Sequence, residues 1–200
     1  MARTSKGAPD AIQLLKKDHA EVSALFTRFQ DASDPDEKSE IAGELCRKLT
    51  VHALCEEELL YPAAHASIDD DLVYQAEIEH QSARDLIARI EDADPQAEDF
   101  DAMLHVLAEY VRHHVKEEEG EIFPQLKRAD VDLVALGQEI AARRVELEAA
   151  LGAREDDADE DELDIDDEEL DDEEFDDDDD DDIDVDIDDD DDETDRDRAA

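Results

Sequence analysis

Two stretches of the chain set histidine and glutamate four residues apart. His52 precedes Glu56 in "LTVHALCEEELLYPAAHAS" (residues 49–67), and His114 precedes Glu118 in "YVRHHVKEEEGEIFPQLKRA" (residues 110–129). On an α-helix, residues i and i+4 lie about 40° apart around the axis and about 6 Å apart along it. An imidazole and a carboxylate at this spacing reach the same point beyond the helix surface. Mixed imidazole and carboxylate, with no thiolate required, is a ligand set for iron, manganese or zinc. Two more histidines, His19 and His80, occupy the middle of apolar stripes elsewhere in the chain.

Those stripes define the elements that must carry the ligands. Ile12, Leu15, His19, Val22, Phe26 and Phe29 fall at spacings of three and four, one face of an α-helix. Val73, Ala76, His80, Ala83, Ile87 and Ile90 repeat the pattern 61 residues later. Between them, Ile41, Leu45, Leu49, His52, Glu56 and Leu59 share a face, answered 62 residues on by Met103, Leu107, Val111, His114, Glu118 and Glu121. The chain therefore duplicates a helix pair, and the expected fold class is all-α, an antiparallel up-down four-helix bundle. Asp10 after Pro9 is the expected start, "DASDPDEKSE" a polar connector, and the Tyr61-Pro62 and Phe123-Pro124 pairs are expected to close their helices. The expected organisation is a flexible N-terminus over 1–9, the bundle over 10–128, an additional C-terminal helix over 129–153, and a disordered polyacidic tail over 154–200. Gly137 weakens the case for that fifth helix being unbroken.

A single histidine on an apolar stripe is ordinarily a satisfied core residue, and Glu at i+4 is often only a solvated face. Here the pattern recurs on four helices, with carboxylates at matched places on two of them. Burying unpaired carboxylates is costly, and a cation supplies the missing partner. The candidate ligands are His19, His52, Glu56, His80, His114 and Glu118. That number exceeds what one tetrahedral zinc needs. A pair of non-haem irons fits it better, with Glu56 and Glu118 as bridges, and iron is favoured over manganese or zinc. His113 has Glu117 at i+4, but the duplication aligns it with Val51 and favours His114. His105 and His65 read as surface, Cys55 as packing. Glu57 and Glu119 repeat each other and can orient the histidines or simply face solvent.

The net charge of −48 is uneven: residues 155–200 hold 33 acidic and 2 basic residues, a net of −31, leaving −17 for residues 1–154. Such a field argues against nucleic acid and against anionic membrane surfaces. The N-terminus lacks the apolar run of a signal peptide, no stretch is long enough to span a bilayer, and a cytoplasmic location is expected. Cys46 and Cys55 sit nine residues apart in one expected helix, too far along its axis to bridge. Dense like charge with little to bury keeps a segment from folding. The tail has three readings: solubility, loose retention of divalent cations, or docking on a basic protein partner.

Residues 10–126 resemble the hemerythrin-like, HHE cation-binding family. The carrying motifs are "LLKKDHAEV" with His19, "VHALCEEELLYP" with His52 and Glu56, "EIEHQSARDL" with His80, and "RHHVKEEEGEIFP" with His114 and Glu118. The resemblance implies two non-haem irons inside an up-down bundle, with histidine from every helix and bridging carboxylates. Oxygen-carrying hemerythrins have a further histidine four residues after the third-helix ligand. This chain has Arg84 there. That argues against reversible oxygen carriage and opens one coordination position to solvent, to Glu57 or Tyr74, or to a small oxidant. The expected function is binding or reducing dioxygen, peroxide or nitric oxide. The alternative is an iron- or redox-sensing module whose metal is mainly structural.

Overall fold

The computed structural model describes Gly7 and residues 9–161, with side chains through residue 152. Helix α1 runs over Ala11–Asp31. Asp10 starts it with a capping box: its carboxylate accepts the Gln13 amide at 2.8 Å, and the Gln13 side chain accepts the Asp10 amide at 3.2 Å. Helix α2 covers Pro35–Cys55. Asp34 caps it by accepting from the amides of Asp36 and Glu37, and Pro35 fills the first helical position, where no donor is needed. Most of the expected polar connector is therefore the first turn of α2. Helix α4, Asp70–Glu91, starts from Asp69 in the same way, and α5 covers Phe100–Glu117.

Neither aromatic-Pro pair closes its helix. After α2 the chain makes one π-helical turn, Glu56–Leu60, and continues as α3, Tyr61–His65. After α5 it makes a second, Glu118–Ile122, and continues as α6, Phe123–Leu126. In each, the aromatic residue's amide donates five residues back, Tyr61 to the Glu56 carbonyl and Phe123 to that of Glu118. A proline inside an α-helix lacks a donor and clashes with the carbonyl four residues earlier. The widened turn just ahead of each proline relieves both problems and keeps the axis running. The extra residue also moves the inward position by one. Leu60 and Ile122 are buried, whereas Leu59 is only half-buried and Glu121 is exposed.

α1 with α2 and α4 with α5 form two antiparallel hairpins, closed into a bundle by α2 against α4 and α1 against α5. The apolar core falls into two clusters. One gathers Phe26, Phe29, Leu45, Ile87 and Leu104 at one end. The other gathers Leu15, Leu60, Tyr61, Phe123 and Leu126. His19 follows Leu15 and precedes Val22, so the histidines form a polar layer between the clusters. Helix α7, Leu133–Asp161, lies on α1 and α2 and buries Leu136, Ile140 and Leu147. Gly137 does not break it. A Cβ there would lie 2.7 Å from the Ala11 amide nitrogen, so glycine is what lets α7 cross the start of α1. The helix runs past the expected boundary at 153. The remainder of the expected acidic tail, 162–200, lies outside the described residues, as do residues 1–6 and 8 of the expected flexible N-terminus.

Candidate metal centre

The structure brings all six candidate residues into one buried layer: His19 from α1, His52 from α2, His80 from α4, His114 from α5, and Glu56 and Glu118 at the first positions of the two π turns. Their ligating atoms form two overlapping groups. Those of His19, His52, Glu56 and Glu118 lie within 4.8 Å of one another, and so do those of Glu56, His80 and His114. Glu56 belongs to both. Its Oε2 is 3.1 Å from His52 Nε2 and 3.4 Å from His80 Nε2. Glu118 Oε2 is 3.2 Å from His19 Nε2 and 3.9 Å from His114 Nε2. All four Nε2 atoms therefore point inward, in pairs 3.2 Å apart: His19 with His52 and His80 with His114.

The Nδ1 atoms face four other carboxylates. His19 Nδ1 meets Glu119 at 3.0 Å and His80 Nδ1 meets Glu57 at 3.0 Å. His114 Nδ1 meets Glu79 at 3.0 Å, and His52 Nδ1 stands 3.5 Å from Asp18. The arrangement is reciprocal. The residue after each π-turn glutamate holds a histidine of α1 or α4, and the residue before each of those histidines faces a histidine of α2 or α5. Such carboxylates fix the ring orientation and raise the basicity of Nε2. Glu57 and Glu119 take the orienting one of the two roles left open for them. Asp18 and Glu79 escaped sequence reasoning, although the Asp-His and Glu-His dipeptides repeat at the 61-residue offset of the duplication.

Glu56 and Glu118 are each 0% exposed, and apart from the imidazole Nε2 atoms no group stands ready to donate to any of their four carboxylate oxygens. Orphaned buried carboxylates at the focus of four imidazole nitrogens fit a bound cation. Without one, protons must balance the charge. Burial opposes a charge on His52, but Glu56 and Asp18 outweigh it and push its pKa up to about 10. Burial likewise opposes His80, and Glu56 and Glu57 raise it to about 9. His19 is raised, Glu118 overcoming burial. The two glutamates part company. Burial resists ionisation of Glu56, yet the two imidazoles beside it hold its carboxyl well down. Burial and the Glu56 charge push Glu118 up.

Other residues weighed from sequence fall outside this layer. Tyr74 is 55% exposed and packs on His65, and His105 is exposed. His65 is half-buried and bonded to Asp70 and Glu77. Arg84 pairs with Glu57, so it steadies the partner of His80. Cys55 is wholly buried in the core, and neither Cys46 nor Cys55 is bridged. Tyr61 is an addition: buried completely, its hydroxyl lies 3.1 Å from His80 Nε2. Its counterpart Phe123 stacks flat on His19. The Tyr-Pro and Phe-Pro pairs were visible in sequence, but not their direction.

The hemerythrin HHE cation binding domain model matches residues 10–126, all four bundle helices. The chain belongs to the hemerythrin HHE family. A protein of Nostoc sp. (strain PCC 7120 / SAG 25.82 / UTEX 2576) named DNA nickase is 31% identical over 114 residues, covering 57% of this chain and 32% of that protein. The chain thus spans about a third of that relative's length. The crystal structure of a hemerythrin HHE cation binding domain-containing protein of Mycobacterium kansasii superposes with a TM-score of 0.63 at 23% identity, covering 71% of this chain and 89% of that one. It shares the hemerythrin-like helical fold. Within the hemerythrin bundle of the present chain, the buried His/Glu layer is the candidate cation site.

Proposed function

We propose that this hemerythrin-family bundle holds two non-haem iron ions and binds or reduces a small oxidant: dioxygen, peroxide or nitric oxide. The supporting observation is the orphaned pair Glu56 and Glu118 at the focus of four Nε2 atoms. His19 and His52 would hold one ion and His80 and His114 the other, with Glu56 and Glu118 shared between them. Iron supplies cycling between the ferrous and ferric states. The chain does the rest. Carboxylates bonded to Nδ1 of His19, His80 and His114 fix the tautomer of those three imidazoles, Asp18 stands 3.5 Å from the Nδ1 of His52, and two apolar clusters keep bulk water from the layer. Burial and the neighbouring Glu56 hold the Tyr61 hydroxyl protonated, so it is a hydrogen-bond donor beside His80.

On the histidine face lies a cavity of about 40 Å³, walled by Val22, Leu49, Ala53, Ala83, Ile87 and Val111. A water needs roughly 10–15 Å³ of such space. The cavity suits a molecule of two or three heavy atoms. Ferrous-loaded protein mixed separately with peroxide, oxygen and nitric oxide should change its visible absorption with at least one of them. No change with any would refute the oxidant reading.

One observation favours a second reading. The six candidate ligands tie all four bundle helices together at mid-height, so metal loss would loosen the bundle and could report iron availability. Repeated turnover of peroxide without loss of fold separates the first reading from this one. Nickase activity is not carried over from the cyanobacterial relative, because a net charge of −48 repels a phosphate backbone. Among the described residues no helix is long and apolar enough to cross a membrane. We place the protein in the cytoplasm, in keeping with its two buried, unbridged cysteines.

A further inference from the structure

The carboxylates behind the histidines are themselves held from outside. Lys16 pairs with Glu119, which holds His19. Arg144 of α7 pairs with Asp18, which stands beside His52. Arg84 pairs with Glu57, which holds His80. No side chain in these three pairs is more than 42% exposed, so water and salt screen them incompletely. Glu79, which holds His114, differs. Among the described residues it has no lysine or arginine partner. Its oxygens meet the Gln75 amide at 3.1 Å and the His113 ring at 3.7 Å, neither a fixed charge. Glu117 beside it is bonded to the same amide and to His113.

The chain holds 19 Lys and Arg against 67 Asp and Glu, so most acids must go without a cation. Three of these four carboxylates nevertheless have one, and the cations come from unrelated places. Lys16 precedes His19 by three residues, Arg84 follows His80 by four, and Arg144 lies on α7, outside the duplication. The duplication puts Glu77 at the place of Lys16 and Ser23 at the place of Arg84. A copied surface pattern would not produce this convergence.

The charge around the two ion positions is therefore uneven. Behind His19 and His52, both carboxylates are neutralised by a cation. Behind His80 and His114, only one is. A cation on the carboxylate weakens its pull on the Nδ1 proton and so lowers the donor strength of Nε2. Its charge also opposes the additional charge of a ferric ion.

We propose that Lys16, Arg84 and Arg144 are positioning residues that make the centre electrically unequal, so that ferric iron is favoured at His80 and His114 over His19 and His52. The inference rests on the two-iron reading above. It deepens that reading, because an unequal pair gives up its electrons singly. Each ferrous ion gives one electron to the acceptor, ferricyanide in the test below, and no protein bond is made or broken.

The test is a redox titration of the iron-loaded, full-length chain with ferricyanide. Electron paramagnetic resonance reads the half-oxidised, odd-electron form, and hence the separation of the two one-electron steps. An imidazole ring and two hydrogen bonds put each cation roughly 10 Å from its ion, where a unit charge is worth about ten-fold at an effective dielectric constant of about 20. Arg84→Gln should widen the separation about ten-fold, or about 59 mV. Arg144→Gln should narrow it by a similar factor, because it strips a cation from the other position. Gln75→Lys, which supplies the missing cation, should narrow it as well, and Arg84→Lys should leave it unchanged. Merely structural damage would move Arg84→Gln and Arg144→Gln in the same direction. Shifts of one sign in those two variants, or no shift in either, would overturn the inference. So would loss of both electrons from the unaltered chain in a single step. If Arg144→Gln loses iron, Gln75→Lys decides alone: narrowing supports the inference and an unchanged separation overturns it. An unaltered chain that holds no iron would instead refute the two-iron reading itself.

Discussion

The two halves of the bundle, α1 to α3 and α4 to α6, are built alike at the site and differ around it. Asp18, His19, His52, Glu56, Glu57 and Pro62 have counterparts in Glu79, His80, His114, Glu118, Glu119 and Pro124. Ser23 is answered by Arg84, Tyr61 by Phe123, and Val51 and Cys55 by His113 and Glu117. What the halves share is what the buried layer requires: inward Nε2 atoms, carboxylates that hold Nδ1, and a wide turn that carries the glutamate. One of the differences follows α7, which lies on α1 and α2: Val51 and Cys55 are buried in the cluster it contributes to, whereas His113 is exposed and Glu117 half-buried on the other side.

The sharpest way to break the likeness is to neutralise one central glutamate at a time. Glu56 approaches an imidazole from each half, at 3.1 and 3.4 Å, whereas Glu118 approaches His19 at 3.2 Å and His114 only at 3.9 Å. Glu56→Gln should therefore abolish tight iron binding, and Glu118→Gln should retain part of it. Equal losses, read by metal analysis after a chelator wash, would show that the two carboxylates are equivalent.

The next contrast is between the metal-free and iron-loaded chain. His52 and His80, one from each half, have folded pKa values of about 10 and about 9 without metal, above the ordinary imidazole value of 6.5. A raised histidine stabilises the fold fully below its unfolded pKa and loses that contribution as pH climbs through the folded one. The melting temperature of the metal-free protein should fall between about pH 6.5 and 10. The iron-loaded protein should not follow it, because the metal replaces the protons. Parallel curves would mean that the imidazoles do not bind the ion.

A smaller effect separates the carboxylates on Nδ1. Glu79 holds His114 at 3.0 Å, while Asp18 stands 3.5 Å from His52 and is also paired with Arg144 of α7. Removing such a partner typically costs about 10–100-fold in metal affinity. Glu79→Gln should fall at the upper end and Asp18→Asn at the lower. Competition with a chelator of known affinity checks the order.

Gly137→Ala acts on the asymmetric element alone. The new Cβ would press on backbone atoms of Pro9, Asp10 and Ala11, which cannot swing aside as a side chain would. Overpacking of this kind costs about 1–3 kcal/mol. Denaturant unfolding should show that loss, while iron content stays unchanged. A lowered iron content would mean that α7 helps to shape the centre.

Much of this was legible before any coordinates. The three-and-four spacing of Ile12, Leu15 and His19, and its recurrence at Val73, Ala76 and His80, marks the helices and the inward histidines together. His52 with Glu56 and His114 with Glu118 are plain at i+4. The π turns were not legible, because a hydrophobic period of 3.6 cannot register one inserted residue, and the prolines read more simply as stops. Leu59 and Glu121 were accordingly placed on the inner face, where the structure puts Leu60 and Ile122. Asp18 and Glu79 were missed because their partners lie on other helices, and nothing local distinguishes them from surface acids. The reach of Tyr61 to His80 depends on the same wide turn.

The central claim is that four imidazoles and two carboxylates hold iron, and metal analysis with visible absorption tests it most directly. The full-length chain and the His52→Ala/His114→Ala variant would be reconstituted with ferrous iron, washed with chelator and compared, with circular dichroism confirming that both are helical. The account predicts two tightly held irons per unaltered chain with charge-transfer absorption, and no such iron or absorption in the variant. Equal retention by both proteins, or no retained iron in the unaltered chain, would contradict it.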